Sequence, residues 1–467
     1  MIPAAPSCDS CSYITASESD HLSSTAGHGH RFFIWTIGCQ MNKADSERIG
    51  RELIAAGHSP VATLPEASTV IVNGCAVRDN SDRKVYGQLA LLRGVKQKRP
   101  NLLVGLTGCT VHATPAELAP HVAAVNVQFD TLDISPLLEL MSSALASDTP
   151  GFDDHGALTL PGTGAVSRFV NAIYGCDKRC TYCIVPFRRG AQRSRPIAEI
   201  TAEVHRCSDE GAREVTLLGQ IVNAYGEDLP DRPTLANLLM AVDRAGSVRR
   251  VRFTTAHPRY MTRDLAEAIR DVPSVCEELN LPVQAGDDLV LKRMARGYST
   301  DFYRDKIAML RETVPGIALS TDIIVGFCGE SEGQFEHTLE FLDEMRFDQV
   351  HVAAFSPRIG TVASEWPDDV PAQEKMRRLH AVEALQTGIA REVNECLAGS
   401  TQTVLLEDLT PGKDDPQRFR WRGRTRSNKL VFIDDRPGLE AGETVDATIT
   451  ETTAWSLRGE VRAAVTV

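Results

Sequence analysis

Short apolar runs alternate with amphipathic stretches over most of this chain, and the alternation predicts strands followed by helices. In the first third, buried strands are predicted at RFFIWTI, TVIVN and LLVGLT, and helical spacing is clear at ADSERIGRELIAAG. Two strands of one sheet that are connected by a helix run parallel to each other. We therefore expect an open parallel α/β domain over residues 31–146.

The same pattern continues in the middle of the chain and changes near its end. Six more strands are predicted at FVNAIYG, EVTLLGQ, VRRVRFTTA, ELNLPVQAG, ALSTDIIVGF and DQVHVAAFS. Their alternation with helices predicts a partial (β/α)6 TIM-like barrel over residues 166–395. Strands without intervening helices then follow at QTVLLED, LVFIDD and ETVDATITE, and predict a small β-barrel over residues 396–467.

Composition narrows the class of protein. The chain has 467 residues, 42% apolar and 24% charged, and its net charge of −12 means that a nucleic-acid partner would need a local basic surface. Twelve cysteines in so long a chain do not form a small disulfide framework. Residues 1–30 read as a disordered tail without the features of a signal peptide, and residues 147–165 read as a linker. No apolar run reaches the roughly 18 residues of a membrane span, so we expect a cytoplasmic protein without membrane contact.

Three cysteines lie within one short loop. Residues 175–183 read GCDKRCTYC and contain Cys176, Cys180 and Cys183. Three thiolates can bind three irons of a cubane iron–sulfur cluster, which leaves the fourth iron open to a substrate or cofactor. A structural zinc site would require a fourth ligand, which is missing nearby. The spacing therefore favours an iron–sulfur cluster with one open iron.

A second three-cysteine site is predicted from a weak internal repeat. TIGC, VNGC and LTGC each end a strand in Gly-Cys, and they place Cys39, Cys75 and Cys109 at intervals of 36 and 34 residues. The carboxyl ends of parallel strands lie at one edge of a sheet, so these cysteines should converge. The alternative is three buried packing thiols, since free cysteine is often buried. The equivalent placement at three strand ends favours a second cluster, again with three protein ligands.

The other cysteines have no partner at ligand spacing. The tail contains Cys8, Cys11, His28 and His30, which are residue types that bind zinc. The spacing between the cysteines and the histidines is not that of a zinc site. The remaining four are interpreted as packing thiols: Cys207, Cys276, Cys328 and Cys396.

Two three-cysteine sites in this order resemble those of the methylthiotransferases, a radical S-adenosylmethionine (SAM) family that inserts sulfur into a C–H bond and methylates it. The resemblance runs from about residue 31 to the C-terminus and is carried by GCQMNKADSE, VNGCAVRDNSDRKVYGQL, GCDKRCTYCIVPFRRGAQRSRP, LLGQIVNAYG, LPVQAGDDLVLKRMARGY and DIIVGFCGE. Within the family, the run after Cys39 and the VPFRRG stretch are most similar to the tRNA 2-methylthio-isopentenyladenosine synthases.

The resemblance implies the cofactors and the reaction. It implies two [4Fe-4S] clusters and SAM, with the cluster at residues 176–183 generating a 5′-deoxyadenosyl radical and the other presenting sulfur at its open iron. It also implies a C-terminal barrel of the TRAM type. SAM contacts are expected at or near the carboxyl ends of barrel strands and beside the cluster ligands, and the candidates are Tyr182, Gln220, Gln284, Asp322 and Ile324.

The chain departs from the family pattern at three places. Asn73-Gly74-Cys75 replaces Asn-Thr-Cys, Gly108-Cys109-Thr110-Val111-His112 replaces Gly-Cys-Met-Ala-Gln, and Gly326-Phe327-Cys328-Gly329-Glu330 replaces Gly-Phe-Pro-Gly-Glu. No departure removes a cluster ligand. We expect these changes to flank the second cluster and to bear on the choice of substrate.

Two basic segments predict contact with RNA in spite of the acidic total. Arginines alternate strictly through QRFRWRGRTRSNK, so a strand would place on one face Arg418, Arg420, Arg422, Arg424 and Arg426. Phe419 and Trp421 would point into the small barrel. The segment contains no acid, and guanidinium groups bind phosphate oxygens well. The alternative is a solvated strand face. A second basic group follows the cluster loop and consists of Lys178, Arg179, Arg188, Arg189, Arg193 and Arg195.

These observations predict an enzyme that methylthiolates the prenylated adenosine immediately 3′ of the anticodon in tRNA. Alternatives are methylthiolation of threonylcarbamoyl-adenosine at the same position, or of an aspartate in a small-subunit ribosomal protein. A third alternative, an iron–sulfur scaffold without catalysis, is disfavoured by the polar residues at the barrel mouth. We expect a monomer that receives electrons from a donor such as flavodoxin or ferredoxin.

Overall fold

The computed structural model describes residues 29–76, 79–113, 118–145, 165–412 and 418–462. The chain forms two compact units. The first contains the predicted N-terminal domain, and the second contains the predicted central and C-terminal domains together. The tail with Cys8, Cys11 and His28, and nearly all of the predicted 147–165 linker, lie outside the described residues. His30 is described and is buried, and its ring Nε2 donates a hydrogen bond to Met141 O at 2.9 Å.

The first unit is an open parallel sheet. Its strands run in the spatial order β2-β1-β3-β4-β5 and are β1 (Arg31–Thr36), β2 (Ser59–Pro60), β3 (Thr69–Gly74), β4 (Leu103–Gly108) and β5 (Val127–Gln128). Helices α1 (Gln40–Ala55), α2 (Asp79–Lys98) and α3 (Ser135–Leu145) connect or follow them. Every residue of β3 and β4 is buried, which explains their continuous apolar character.

The second unit begins with six parallel strands. They are β6 (Ser167–Asn171), β9 (Glu214–Leu218), β10 (Arg250–Phe253), β11 (Glu278–Asn280), β12 (Ala318–Val325) and β13 (Gln349–Ala354). Three pair in the order β6-β9-β10 and three in the order β11-β12-β13. A bridge between Val251 and Val275 joins the two sets. A short antiparallel pair, β7 (Ile173–Tyr174) and β8 (Arg193–Ser194), brackets the three-cysteine loop.

Eight helices are described in this unit. They are α4 (Val185–Arg189), α5 (Ile197–Asp209), α6 (Leu235–Ala245), α7 (Arg263–Asp271), α8 (Asp288–Arg293), α9 (Thr300–Thr313), α10 (Glu332–Met345) and α11 (Ala372–Glu395). Ser and Thr side chains cap several of them, as Ser331 does for α10 through a capping box with Gln334. Apolar residues from these helices and from the strands form one large core.

The last part of the second unit is a closed five-stranded barrel. Its strands pair in the order β14-β15-β16-β18-β17 and are β14 (Thr401–Pro411), β15 (Phe419–Thr425), β16 (Leu430–Asp434), β17 (Thr444–Thr452) and β18 (Leu457–Val461). Trp421 points inward and is buried, as predicted. The expectation for Phe419 is wrong: it is 46% exposed, because it begins β15 at the open end of the barrel.

The predicted fold class is confirmed: a parallel α/β unit, a partial barrel of six parallel strands and a small β-barrel occur in that order. Alternation of apolar residues was sufficient for this because strand and helix periods differ so clearly. Among the described residues, no helix combines the length and the apolar character needed to cross a membrane.

Candidate functional site

In the first unit, three cysteines gather at the carboxyl ends of β1, β3 and β4. Cys39 caps the start of α1, Cys75 follows β3 directly, and Cys109 begins a short 3-10 turn after β4. The thiol of Cys75 contacts those of Cys39 and Cys109 by hydrogen bonds, which raise the pKa of Cys75 well above its usual range. The predicted convergence of cysteines that are distant in sequence is therefore present.

Glycine precedes each of these cysteines, and two of the three adopt backbone conformations that other residues rarely reach. Gly38 has φ +148° and Gly108 has φ +86°. A Cβ on Gly38 would lie 2.6 Å from the Cβ of Cys75, so this position is closed to larger residues. Gly74 has an ordinary φ, but a Cβ there would overlap the hydroxyl of Thr110. The glycines thus permit the close approach of the three strand ends.

An asparagine pair that sequence reasoning missed holds the strand ends together. The side chain of Asn42 donates to Asn73 Oδ1 at 2.9 Å and to Gly74 O at 3.1 Å, and Asn73 Nδ2 donates to Asn42 O at 2.8 Å. Both asparagines are fully buried. Asn42 Oδ1 also accepts a hydrogen bond from the thiol of Cys39 at 3.4 Å. Buried polar residues next to predicted ligands are the signal that could have identified this pair.

In the second unit, the loop with Cys176, Cys180 and Cys183 is held by backbone hydrogen bonds. Cys176 N donates to Gly190 O at 3.0 Å, and Cys183 N donates to Cys180 O at 3.0 Å. Between the cysteines, Thr181 donates to the carbonyl oxygen of Arg293 at 2.8 Å. Burial raises the pKa of the Cys176 thiol, and it raises the pKa of Cys183 to about 12. Thiolates at these positions would therefore need a positive partner such as iron.

The donor sets of both sites fit an iron–sulfur cluster rather than a single ion. Among the described side chains, no three His, Cys, Asp or Glu residues are arranged to hold one metal ion. A cubane differs, because each of its cysteines binds a separate iron. Soft thiolates without carboxylate or imidazole partners suit iron and sulfide.

The candidate SAM residues lie at or near the carboxyl ends of the strands of the partial barrel. Gln220 follows β9, while Asp322 and Ile324 alternate with buried neighbours on β12. Gln284 is buried and pairs with β12, since its N–H donates to Asp322 O at 2.9 Å and its carbonyl accepts from Ile324 N at 2.9 Å. The φ of Gln284 is +80°, a strained conformation for a residue with a side chain. Strain of this kind is concentrated at functional sites, which supports the choice of this strand end.

Tyr182 and Ile324 share one apolar cluster. Both pack against a buried group that includes Phe327, Cys328 and Phe355. The ring of Tyr182 meets that of Phe327 edge to face, with centroids 6.3 Å apart. The predicted roles of all five candidates toward SAM remain predictions.

Three further residues at this barrel mouth were not predicted. Arg296 is buried and donates to Cys180 Sγ at 3.4 Å, and its Nε donates to Tyr298 OH at 2.9 Å. His257 is buried at the end of β10, and burial together with the nearby Arg296 and Lys178 lowers its pKa to about 3. The motif LPVQAGDDLVLKRMARGY contained Arg296 and Tyr298, but no local pattern distinguished these residues from surface polar groups.

One of the four expectations about isolated cysteines is wrong. Cys328, from the departure at Gly326–Glu330, lies in the second unit, inside the apolar cluster that Tyr182 contacts. Its burial in that cluster agrees with the expectation of a packing thiol. Cys396 is exposed at the end of α11 and is not a packing thiol, whereas Cys207 and Cys276 are buried as predicted.

The basic group after the cluster loop is only partly exposed. Arg188 is buried, and Arg195 is bound to Glu203 at 2.6 Å, so neither presents a free charge at the surface. Lys178 hydrogen-bonds to the hydroxyl of Tyr260. Arg179 and Arg193 are exposed, and Arg193 lies over the ring of Tyr174. Fewer than the six predicted residues therefore present a positive charge around the barrel mouth.

The arginines of β15 alternate outward as predicted, but neighbouring strands supply the acids that the segment itself lacks. Arg418 and Arg420 both contact Asp434 of β16, while Arg422 lies 2.8 Å from Asp408 of β14. Arg424 lies 3.4 Å from Glu407 Oε1, and Arg422 is 3.5 Å from the other oxygen of that residue. The expectation of an uncompensated basic face is wrong, because the strands that pair with β15 bring acids within ion-pair distance of these four arginines.

Arg426 does not share the face of the other four. It follows the end of β15, and its Nη2 lies 2.7 Å from Glu277 Oε1 of the central barrel. The guanidinium also donates to the carbonyl oxygens of Pro273 and Val275. Its observed role is to attach the small barrel to the central one.

Comparison with known proteins matches all three parts of the chain. Residues 31–130 match the uncharacterized protein family UPF0004, residues 170–342 match the radical SAM superfamily, and residues 397–461 match the TRAM domain. In fold, the chain is similar to the radical S-adenosylmethionine methyltransferase TsrM of Kitasatospora setae, with a TM-score of 0.53 at 14% identity over 80% of each chain.

Sequence relatives match over nearly the whole chain. A tRNA-2-methylthio-N(6)-dimethylallyladenosine synthase of Herpetosiphon aurantiacus is 41% identical over 92% of this chain and 97% of its own. Proteins of the same name from Chloroflexus aurantiacus and Acetivibrio thermocellus are 41% and 37% identical, covering 92% and 91% of this chain and 91% and 90% of their own. With two convergent cysteine triads and these matches, the chain belongs to the radical SAM family of tRNA-2-methylthio-N(6)-dimethylallyladenosine synthases.

Proposed function

We propose that this protein methylthiolates the prenylated adenosine immediately 3′ of the anticodon in tRNA. The observation that carries the proposal is the presence of two separate cysteine triads, each gathered by the fold and each one ligand short of a closed four-cysteine site. The names of the relatives favour the prenylated adenosine over threonylcarbamoyl-adenosine and over a ribosomal protein.

Cys176, Cys180 and Cys183 hold one [4Fe-4S] cluster, and Cys39, Cys75 and Cys109 hold the other. When bound, these clusters and SAM supply the radical chemistry, the sulfur and the methyl group, which no side chain supplies. The chain contributes by fixing the ligands before the cofactors bind. The Asn42–Asn73 pair positions Cys39 relative to the end of β3, and the Thr181 hydrogen bonds position the second loop.

Residues at the end of the partial barrel bind and orient SAM. Gln284 and Asp322 would supply polar contacts to SAM there, and Tyr182 and Ile324, which pack against one apolar cluster, would supply an apolar surface. The neutral imidazole of His257 neither repels nor attracts charged groups strongly at neutral pH, because its pKa is lowered to about 3. Gln220, after β9, completes the polar group at the mouth.

RNA is bound in part by exposed arginines of β15 and by Arg418, which directly precedes this strand. Arg418, Arg422 and Arg424 are the most accessible, with side chains 57%, 43% and 37% exposed. Each is already paired with an acid, so a phosphate must compete with a carboxylate for the guanidinium. Arg420, at 14% exposure, and Arg426 contribute to the structure of the barrel more than to RNA contact.

The protein works in the cytoplasm as a monomer and takes electrons from a low-potential donor such as flavodoxin or ferredoxin. Reduction of an iron–sulfur cluster requires an electron from a donor outside the cluster.

Mass spectrometry of tRNA nucleosides tests the proposed function directly. Cells that lack this protein should accumulate the prenylated adenosine without its methylthio group, and the wild-type gene should restore the modified nucleoside. A variant with alanine at Cys176, Cys180 and Cys183 should not restore it. Unchanged methylthio-prenyladenosine in the deletion strain, with loss of the methylthio form of threonylcarbamoyl-adenosine, would establish the alternative substrate.

A further inference from the structure

A buried arginine lies beside the three-cysteine loop of the second unit. The side chain of Arg296 is 8% exposed. Its Nη1 donates to Cys180 Sγ at 3.4 Å and to Tyr182 OH at 3.5 Å. Its Nη2 donates to Pro282 O at 3.0 Å. The guanidinium therefore touches both a predicted iron ligand and a predicted SAM contact.

None of the hydrogen-bond partners of Arg296 in the described part of the chain is a carboxylate. Two other buried arginines of this unit differ, since Arg252 binds Glu214 and Glu278, and Arg378 binds Glu330. Arg250 has only carbonyl partners, but it lies in the field of Glu214.

Burying an ionised arginine without an opposite charge is unfavourable, because the guanidinium loses its hydration and gains no compensating anion. An anion beside the guanidinium in the functional protein would offset this cost. Three thiolates around a cubane carry net negative charge, and one of them would be at Cys180, next to Nη1.

We propose that Arg296 is a positioning residue that acts as the counter-charge of the iron–sulfur cluster held by Cys176, Cys180 and Cys183. The inference rests on the proposed function, since it needs a cluster at this loop. It concerns the protein's own electrostatics at that cluster and names a residue outside the ligand set.

The orientation of Arg296 is fixed before any cofactor binds. Its Nε donates to Tyr298 OH at 2.9 Å, and that hydroxyl donates in turn to Val283 O at 2.9 Å. Ala295, with φ +55°, reverses the chain after α8 and directs the next side chain back toward the loop. A guanidinium held in this way cannot turn away to solvent.

The expected consequence is a change in the reduction potential of the cluster. An electron that enters the cluster adds one negative charge, and a fixed cation at hydrogen-bond distance from a ligand sulfur stabilises the reduced form. Removal of the cation should therefore shift the reduction potential to a more negative value. A neighbouring charge that does not face the loop should have no such effect.

The test uses full-length protein with Cys39, Cys75 and Cys109 changed to alanine, so that one cluster remains after anaerobic reconstitution. Arg296→Gln, Arg296→Lys and the control Lys292→Gln are compared in this background; Lys292 is exposed on the same helix that precedes Arg296. Iron content and a potentiometric titration followed by electron paramagnetic resonance are measured for each.

For Arg296→Gln we expect an intact cluster whose reduced-to-oxidised ratio at the parent midpoint falls about tenfold, equivalent to about 59 mV for one electron. Arg296→Lys should recover most of this loss, and Lys292→Gln should match the parent. An unchanged midpoint in an iron-loaded Arg296→Gln protein would overturn the inference while leaving the cluster assignment intact.

If the Arg296→Gln protein fails to bind iron, the Arg296→Lys protein tests the inference in its place. An Arg296→Lys protein with full iron and a midpoint potential near that of the parent supports the role of Arg296 as a counter-charge. An Arg296→Lys protein without iron overturns that inference and indicates a packing role for Arg296. Absence of iron in the parent itself would instead refute the cluster at residues 176–183, and with it the proposed function.

Discussion

Arg252 of the central barrel donates a hydrogen bond from Nη2 to the carbonyl oxygen of Thr425 in the small barrel, at 2.7 Å. The same guanidinium binds Glu214 at 2.8 Å and Glu278 at 2.9 Å, and donates to Arg426 O at 2.7 Å. Arg252 is almost completely buried. This one side chain therefore joins two strands of the central barrel to the backbone of the arginine-rich strand.

Replacing Arg252 with methionine should destabilise the second unit strongly. The change leaves Glu214 as a buried carboxylate without its partner, and removing one member of a buried ion pair typically costs about 3–5 kcal/mol. Arg249→Met is the matched control, because Arg249 is exposed and its loss should cost within about 0.5 kcal/mol. Urea denaturation followed by circular dichroism measures both. Equal midpoints for the two variants would contradict the structural role of Arg252.

The two cysteine triads should contribute equally to the iron content. Two [4Fe-4S] clusters imply about eight irons per chain after anaerobic reconstitution. Alanine at Cys176, Cys180 and Cys183 should halve this number and abolish reductive cleavage of SAM. Iron analysis and chromatography of 5′-deoxyadenosine measure the two effects, and full iron in the triple variant would refute the ligand assignment. Alanine at the exposed Cys396 is the control and should leave both unchanged.

Loss of the other triad should separate SAM cleavage from product formation. With alanine at Cys39, Cys75 and Cys109, the loop at residues 176–183 is unchanged and SAM should still be cleaved to 5′-deoxyadenosine. No methylthio nucleoside should form, because the sulfur-bearing site is gone. The assay incubates prenylated tRNA with the variant and a low-potential reductant, and normal amounts of methylthio product would exclude the role assigned to this triad.

The exposed arginines of β15 should contribute to the salt dependence of tRNA binding. Serine at Arg418, Arg422 and Arg424 removes the three most exposed charges, and the slope of log affinity against log salt should shrink by about two to three. In the opposite direction, Glu407→Gln frees Arg422 and Arg424 from a shared acid. It should strengthen binding between about 1.5-fold and 5-fold, as expected for an ion pair worth about 0.2–1 kcal/mol.

Filter binding or fluorescence anisotropy over a salt series measures these slopes. SAM cleavage without RNA serves as the control for folding and should be normal in both variants. Superimposable curves for the wild type and the triple-serine variant would show that β15 does not meet phosphate.

His257 should make the stability of the second unit depend on pH. Its pKa is lowered to about 3 in the folded protein by burial and nearby cations, whereas the unfolded chain has the ordinary value of 6.5. Below pH 6.5 the unfolded chain therefore binds a proton that the folded protein does not. Stability contributed by the neutral ring is complete above pH 6.5 and is lost as pH falls toward 3, at up to about 1.4 kcal/mol per pH unit.

His257→Gln removes this titration, so its free energy of unfolding should change less between pH 7 and pH 5 than that of the wild type. Denaturation at a series of pH values measures the difference in slope. Because other histidines titrate equally in both proteins, parallel slopes would show that His257 is not buried in its neutral form.

The sequence by itself determined the order of the α/β unit, the partial barrel and the small β-barrel, and it predicted the two cysteine triads. Strand and helix periods are local properties, and a fully buried parallel strand such as β3 appears as an unbroken apolar run. Cys176, Cys180 and Cys183 are near one another along the chain. The triad of Cys39, Cys75 and Cys109 could be predicted although it is dispersed, because equivalent strand ends of a parallel sheet must lie together.

Only the tertiary structure decided which partners the charged side chains have. The arginines of β15 seemed uncompensated within their own segment, yet Asp434, Glu407 and Asp408 reach them from strands that pair with β15 across the barrel. Arg296 lies 116 residues from Cys180 in sequence, and their contact follows from the packing of the end of α8 against the cysteine loop rather than from any local pattern. Coulombic and hydrogen-bond partners depend on distances in space, and a sequence fixes those distances only where neighbouring elements share a known geometry.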